Sequence, residues 1–329
     1  DCEGRPIGYD LFPGNTYEGH TLDKALEKLE KRFGIRQVII VADRGLNSKL
    51  NLKRIEEKGY DYVVASRIKK MKKGIQEEIF NNEGYTEISN AEEPDNRILY
   101  KTIEYINTVK DEDGKSYNIE ENLIITYSRK RAKKDKKDRE RLIEKAKTLL
   151  EDKGKIKASN KRGGKKFLKE IKKKSADWIL DEDAIAKDEM FDGYYGIQTN
   201  KKDMKPEKVI AAYHDLWRIE ESFRVMKSTL EVRPVFHWTE QRIKGHFVIC
   251  FLAFLLERTL EFKLKEKGDP ASPKMIREAL NSMSFSGFDV DGETYYLKNK
   301  GTKLSQKILR LFKIKPPKNI CKKEELTIL

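Results

Sequence analysis

The chain has 329 residues, 38% of them apolar and 38% charged, with 69 basic against 55 acidic side chains and a formal charge of +14. That length can bury a substantial core and suits two or so domains, yet so low an apolar content makes part of the chain a charged outgrowth. No apolar run reaches the roughly 20 residues of a membrane-spanning helix; Phe247–Leu256 is about half that, bounded by His246 and by Glu257 and Arg258, and reads as a core helix. The chain opens on Asp1 rather than Met, directly ahead of a turn, as expected of a chain without its natural N-terminus.

In chain order, a Glu3–Pro6 turn precedes an expected strand Ile7–Phe12, ended by Pro13-Gly14-Asn15. Thr21 can cap a helix from Leu22 to Phe33, closed by Gly34. Val38–Ala42 is a continuous apolar run, the pattern of a strand covered on both faces. Asp43 follows at once. A carboxylate at the carboxyl end of a buried strand stands where open α/β sheets place their chemistry, and Gly45 lets the backbone turn away. An isolated Asp at such a point also serves as an Asx turn or helix cap. A helix at Leu50–Lys58 and a strand at Tyr60–Ser66 come next.

From Lys69 to Tyr127 the texture alternates in the β manner, with turns at Asn81-Asn82 and Asp113-Gly114. Arg131–Asp152 reads as a charged helix and Lys153–Lys174 as a basic Gly/Lys-rich tongue. The interval Arg129–Lys174 holds 22 basic and 7 acidic residues, leaving 47 and 48 elsewhere, so one segment carries the whole positive excess. A Lys run is ordinarily a solvated surface; this confinement makes phosphate contact an equal expectation. Three scattered cysteines, Cys2, Cys250 and Cys321, lack metal spacing and suit a reducing compartment, with Cys250 expected as a buried small hydrophobe.

Core character returns in a strand within 192–200, then in Val209–Pro234, which reads as one long helix. At roughly 100° per residue, Tyr213, Leu216, Trp217, Arg224 and Lys227 fall within about 60° of Glu220. Ala212, Ile219, Phe223, Met226 and Leu230 form an adjacent apolar stripe to be buried against a sheet. Taken alone, Glu220 with Arg224 is equally an ordinary i,i+4 ion pair. Beyond it lie a second long helix at Trp238–Lys265, a helix at Pro273–Leu280, a hairpin at Phe288–Leu297 around Asp291-Gly292 and a helix at Lys303–Phe312; Lys313–Leu329 shows little periodicity.

The spacing Tyr213-x6-Glu220-x6-Lys227, together with Phe12-Pro13-Gly14-Asn15 and Val41-Ala42-Asp43-Arg44-Gly45 in that order, resembles the DDE transposases of bacterial insertion sequences, the group with a Tyr-x2-Arg-x3-Glu-x6-Lys signature. The resemblance covers Gly4–Ser66 and Asp192 to about Arg258 closely. It implies an α/β, RNase H-like mixed sheet with flanking helices, interrupted by a β-rich insertion. The domain reading is 1–67 and 191–267 for the catalytic core, 68–190 for the insertion with its basic helix, and 268–329 for a C-terminal helical region. By the same resemblance Asp43 and Glu220 are catalytic metal ligands for Mg²⁺, with Mn²⁺ as an alternative, in a two-metal phosphoryl displacement. Tyr213 and Lys227 would hold the phosphate of a transposon end. Tyr195 would stack on a flipped base, a core tyrosine being the competing reading and Trp178 a weaker candidate. The expected partners are double-stranded DNA, transposon ends and target, and a second copy of the chain on that DNA; the expected location is the bacterial cytoplasm, at the nucleoid.

Two departures stand out. Leu216 occupies the signature arginine position; Arg218 projects roughly 160° from Glu220, so Arg224, about 40° away, is the expected substitute. The first strand of such a sheet, with its aspartate, is expected upstream of Asp1, neither Asp1 nor Asp10 being well placed to replace it. An inactive DNA-binding remnant, or an RNase H-like nuclease unconnected with transposition, fits the same residues less fully.

Overall fold

The computed structural model describes residues 5–14, 16, 18–34, 38–88, 97–110, 114–151, 156, 163–171, 178–316 and 318–325. The expected turn at its Asp1–Gly4 end, and most of the basic tongue, lie outside these residues. The chain falls into two compact units, Tyr17–Leu216, and Asp1–Thr16 with Trp217–Leu329.

In the unit Tyr17–Leu216, α1 (Glu18–Phe33) ends at Gly34, whose φ of +64° and N–H bond to the Glu30 carbonyl form the helix stop that glycine permits. β1 (Ile39–Ala42), α2 (Lys49–Glu57) and β2 (Asp61–Ala65) make a parallel β-α-β unit, Ile40 opposite Tyr62 and Ala42 opposite Val64. Ser48 caps α2 by accepting from the Asn51 N–H. A short turn Ile68–Lys70 leads to α3 (Lys73–Phe80), then β3 (Thr86–Glu87), β4 (Leu99–Lys110) and β5 (Ser116–Tyr127). α4 (Arg129–Glu151), the strand pair β6 (Leu168–Glu170) and β7 (Trp178–Leu180), α5 (Glu182–Glu189), β8 (Tyr194–Thr199) and α6 (Pro206–His214) complete it.

The main sheet is six-stranded and mixed, in the order β1-β2-β8-β5-β4-β3, and is flanked by helices in a manner consistent with an RNase H-like fold. Strand side chains alternate between faces. On one face Tyr62, Val64, Ile40 and Ile119 pack with Leu26 of α1 and Leu52 and Ile55 of α2. Val63, Ile124 and Ile197 point the other way, onto Val209 of α6.

The residues expected as an insertion do not stand apart from this sheet. β5 pairs with β8 from Asn122–Thr199 to Tyr127–Tyr194, and with β4 along all twelve of its residues. Long-range pairing of this kind leaves no local trace in a sequence. The stretch read as uniformly β also contains α3, held by the i,i+4 pair Ile75 and Ile79 against Ile68 and Phe191.

In the unit Asp1–Thr16 with Trp217–Leu329, α7 (Leu216–Arg224) runs into a π-turn at Val225–Thr229, and α8 (Glu240–Glu266) packs with α9 (Pro273–Asn281) and α10 (Lys303–Leu311) through Leu260, Leu264, Ile276 and Ile308. β9 (Phe285–Val290), β10 (Glu293–Lys298) and β11 (Ile320–Lys322) form an antiparallel sheet. No described helix is long and apolar enough to cross a membrane.

Several sequence expectations are corrected here. Ile7–Phe12 forms no strand, because no described strand pairs with it; it lies along α8, Tyr9 being 4.8 Å from Phe251 ring to ring and the Arg5 guanidinium 5.3 Å from the Phe262 ring. Val209–Pro234 is not one helix: the α-helical run is interrupted at Asp215 and passes into the π-turn after Arg224. The even angular stripe drawn across it therefore does not exist, and Ile219 and Phe223 are 52% and 56% exposed rather than buried. Nor is Phe247–Leu256 wholly core, since Ile249, Leu252 and Leu256 are exposed and only Phe254 of that run is buried. Cys250 is half-buried, its Sγ 3.5 Å from His246 Nε2.

Candidate active site

The Asp43 side is built at the carboxyl end of β1. Asp43 is exposed, and its Oδ1 accepts the Gly45 N–H at 2.7 Å, so the Asx-turn geometry is realised. That bond engages one oxygen only. The rest of the loop is tied to the sheet: Asn47 Nδ2 donates to the Ala65 carbonyl at 2.6 Å and to Gln198 Oε1 at 3.0 Å. Gln198 Nε2 in turn donates to Glu121 Oε1 at 2.8 Å, and the Tyr62 hydroxyl donates to the same fully buried carboxyl group. Arg67 Nη2 donates to the Arg44 carbonyl at 3.0 Å, fixing the turn from its other side. A buried polar chain thus runs from the sheet to the loop that begins at Asp43. Sequence reading missed Asn47, Arg67 and Gln198, because their partners lie 18, 23 and 151 residues away in the chain.

Tyr213, in the last turn of α6, has its hydroxyl 2.5 Å from that of Tyr195 on β8, the rings 5.6 Å apart. Burial pushes the Tyr213 phenol above its ordinary range, the Tyr195 bond adds to this, and the negative charge of Asp43 pushes in the same direction. Asp43, Tyr195 and Tyr213 therefore converge on the α6 side of the sheet. The Tyr195 ring is covered by the guanidinium groups of Arg131, at 4.3 Å, and Arg44, at 5.4 Å. Arg131 opens the basic helix α4, and nothing in the local pattern singles it out.

Glu220, Arg224 and Lys227 belong to the other unit. Glu220 is exposed on α7 and has no hydrogen-bond or ion-pair partner among the described residues; in particular it does not pair with Arg224. The reason lies one residue on. Arg258, 6% exposed inside the apolar face of α8, reaches Glu221 at 3.5 Å, Ser222 Oγ at 3.4 Å and Glu261 at 2.6 Å. That anchor turns the Glu221–Ser222 side of α7 toward α8 and leaves Glu220 outward. An arginine within an otherwise apolar helical run was the available signal for it. Arg224 is the final residue of α7, and Lys227 stands in the π-turn with its Nζ 5.9 Å from the Phe223 ring. Trp178, the weaker aromatic candidate, is half-buried on β7.

Among the described residues no group of three His, Cys, Asp or Glu side chains is assembled to hold a metal ion. The donor chemistry nonetheless suits a hard divalent cation: Glu220 keeps both carboxylate oxygens uncommitted and Asp43 keeps one.

The family described as the transposase DDE domain matches residues 1–256. The chain belongs to this family. It is thus a DDE transposase of insertion-sequence type, of a family whose enzymes cut and transfer DNA and generally use divalent metals. No curated protein matches the chain. The match ends within α8, so α9, α10 and the strands β9–β11 lie outside it.

Proposed function

We propose that this transposase chain binds transposon-end DNA and carries out metal-dependent strand cleavage and transfer, with Asp43 and Glu220 as the carboxylates that hold the metal. The reading rests above all on Asp43, a carboxylate presented to solvent at the end of a parallel strand, on a loop braced by Asn47 and Arg67 whose next residue, Arg44, lies 5.4 Å from the Tyr195 ring. When bound, Mg²⁺ or Mn²⁺ supplies an activated oxygen nucleophile and neutralises charge on the transferred phosphoryl group. The chain's own residues bind and orient. Tyr213, a phenol protonated at neutral pH and pushed further up by burial and its bond to Tyr195, is a hydroxyl donor for a phosphate oxygen. Lys227 and Arg224 add positive charge beside Glu220, with Arg224 standing in for the arginine that Leu216 displaces. Tyr195 takes part chiefly by orienting Tyr213, and a base can stack on the ring face that Arg131 covers only by displacing that guanidinium. Duplex transposon ends and target are the partners in this reading, with a homodimer as the working form on DNA.

The test is substitution of each carboxylate in the intact protein. Glu220→Gln and Asp43→Asn each keep the shape of the side chain and remove its charge. The expected result is loss of Mg²⁺-dependent strand transfer with end binding retained. Full transfer activity in either variant would sink the site assignment.

A further inference from the structure

We propose that a cavity of about 440 Å³, walled by the Ile68–Lys70 turn, α4 and the end of α5, takes a backbone phosphate of duplex DNA on Arg44, Arg67 and Lys70. The proposal rests on the DNA-binding reading above and deepens it by adding a phosphate site apart from Tyr213, Arg224 and Lys227.

The charge balance of the wall carries it. Each acidic side chain lining the cavity already has a cation: Asp188 bridges Lys69 at 2.6 Å and Lys166 at 3.1 Å, Asp135 lies 3.4 Å from Arg131 and Asp138 lies 3.6 Å from Arg141, while Asp192 accepts from Arg139. The Lys69–Asp188 pair fastens α5 to the turn, the Arg139–Asp192 pair ties α4 to the segment after α5, and the pairs of Asp135 and Asp138 lie within α4. Arg44, Arg67 and Lys70 are exposed, line the same cavity, and have no carboxylate partner among the described residues. Three positive charges, one from the loop after β1 and two from the turn after β2, therefore share one concavity, where their fields add. Arg67 gives one terminal nitrogen to the Arg44 carbonyl, which leaves the other donors of its planar fork for a ligand.

The choice of a polymer over a small anion comes from α4. Arg131, Asp135, Asp138 and Leu142 face the cavity at helical spacing, and Lys130, Lys134, Lys137 and Arg141 follow one residue earlier in each turn, all exposed. A cationic stripe thus runs beside the cavity for the length of three turns, as suits a chain of phosphates rather than a single one. Occupancy also bears on catalysis. Arg44 immediately follows Asp43, and Arg67 holds the Arg44 carbonyl, so a phosphate on this pair braces the turn that presents Asp43.

Binding of the full chain to labelled duplex, followed by fluorescence anisotropy across a salt series, tests the proposal. Lys70→Gln and Arg67→Gln should each weaken binding similarly for all duplex sequences and reduce the slope of log affinity against log salt by about 1. Lys300→Gln, in the other unit, should leave the slope alone. Pyrophosphate at constant ionic strength should not displace duplex. Slopes unchanged in both cavity variants, with wild-type binding intact, overturn the site but spare the DNA-binding reading; absence of wild-type binding overturns both. Tight, Lys70-dependent pyrophosphate binding with unchanged DNA slopes would make the cavity a small-anion site and overturn the proposal.

Discussion

The two carboxylates of the candidate site are held in opposite ways. Asp43 sits on a loop bonded at Gly45, Asn47 and Arg44, beside the six-stranded sheet, which is covered on both faces. Glu220 sits on a helix to which its neighbour Glu221 lends an ion pair with Arg258, and whose apolar side chains Trp217, Ile219 and Phe223 are about half exposed. One carboxylate is preorganised by its own unit. The other is presented on a surface with little else fixed around it, where binding partners rather than packing must complete the geometry.

The sharpest way to break that contrast is with apolar truncations. Leu52 on α2 is fully buried among Ile40, Ile55 and Tyr62, so Leu52→Ala should cost about 2–5 kcal/mol and loosen the Asp43 loop with it. Phe223→Ala removes a larger side chain that is 56% exposed and should move stability by no more than about 1 kcal/mol. Urea unfolding followed by circular dichroism measures both. Equal losses would mean that the Glu220 side is packed as tightly as the Asp43 side. A smaller effect is expected from Asn47→Ala, which frees the Ala65 carbonyl and Gln198 Oε1 in a part-buried setting and should cost about 1–3 kcal/mol. Its particular mark is local: amide exchange should quicken across residues 43–48 more than in α6, and uniform quickening would show that Asn47 serves the whole sheet.

What the sequence disclosed follows the same division. Val38–Ala42, the α2 helix and the β2 strand are legible because a short apolar run and a 3.6-residue period are local signals, and they place Asp43 at a strand end. The basic helix, β8, α8 and the hairpin at Asp291-Gly292 came through for the same reason. Pairing of β5 with β8 did not, since it joins segments some seventy residues apart. The break at Asp215 was missed because Asp is tolerated in a helix and the apolar period continues across it. Tyr213 and Glu220 fall at the right spacing in sequence, yet each owes its setting to residues remote in the chain: Tyr195 for one, and Arg258, through Glu221, for the other.

The finest expected effect probes the Asp43 side at a single hydroxyl. Tyr195→Phe keeps the ring on which Arg131 and Arg44 lie and deletes only the bond to Tyr213, a loss of about 1 kcal/mol. Burial comes first among the causes that raise the Tyr213 phenol and persists in the variant, so its pKa should fall part of the way toward the ordinary value of 10.0. The sign for stability follows. A phenol raised in the folded state binds its proton more tightly there than in the unfolded chain, so the stability linked to it is complete below pH 10 and is lost as pH rises through the folded value. Tyr195→Phe should therefore bring that alkaline loss to completion at lower pH. Asp43→Asn should also lower the Tyr213 pKa, because the carboxylate's negative charge no longer opposes ionisation. Ultraviolet titration of phenolate, with Tyr213→Phe to identify the group, separates the outcomes: a Tyr213 titration unmoved by Asp43→Asn would remove Asp43 from beside the phenol, and with it the convergence on which the site is built.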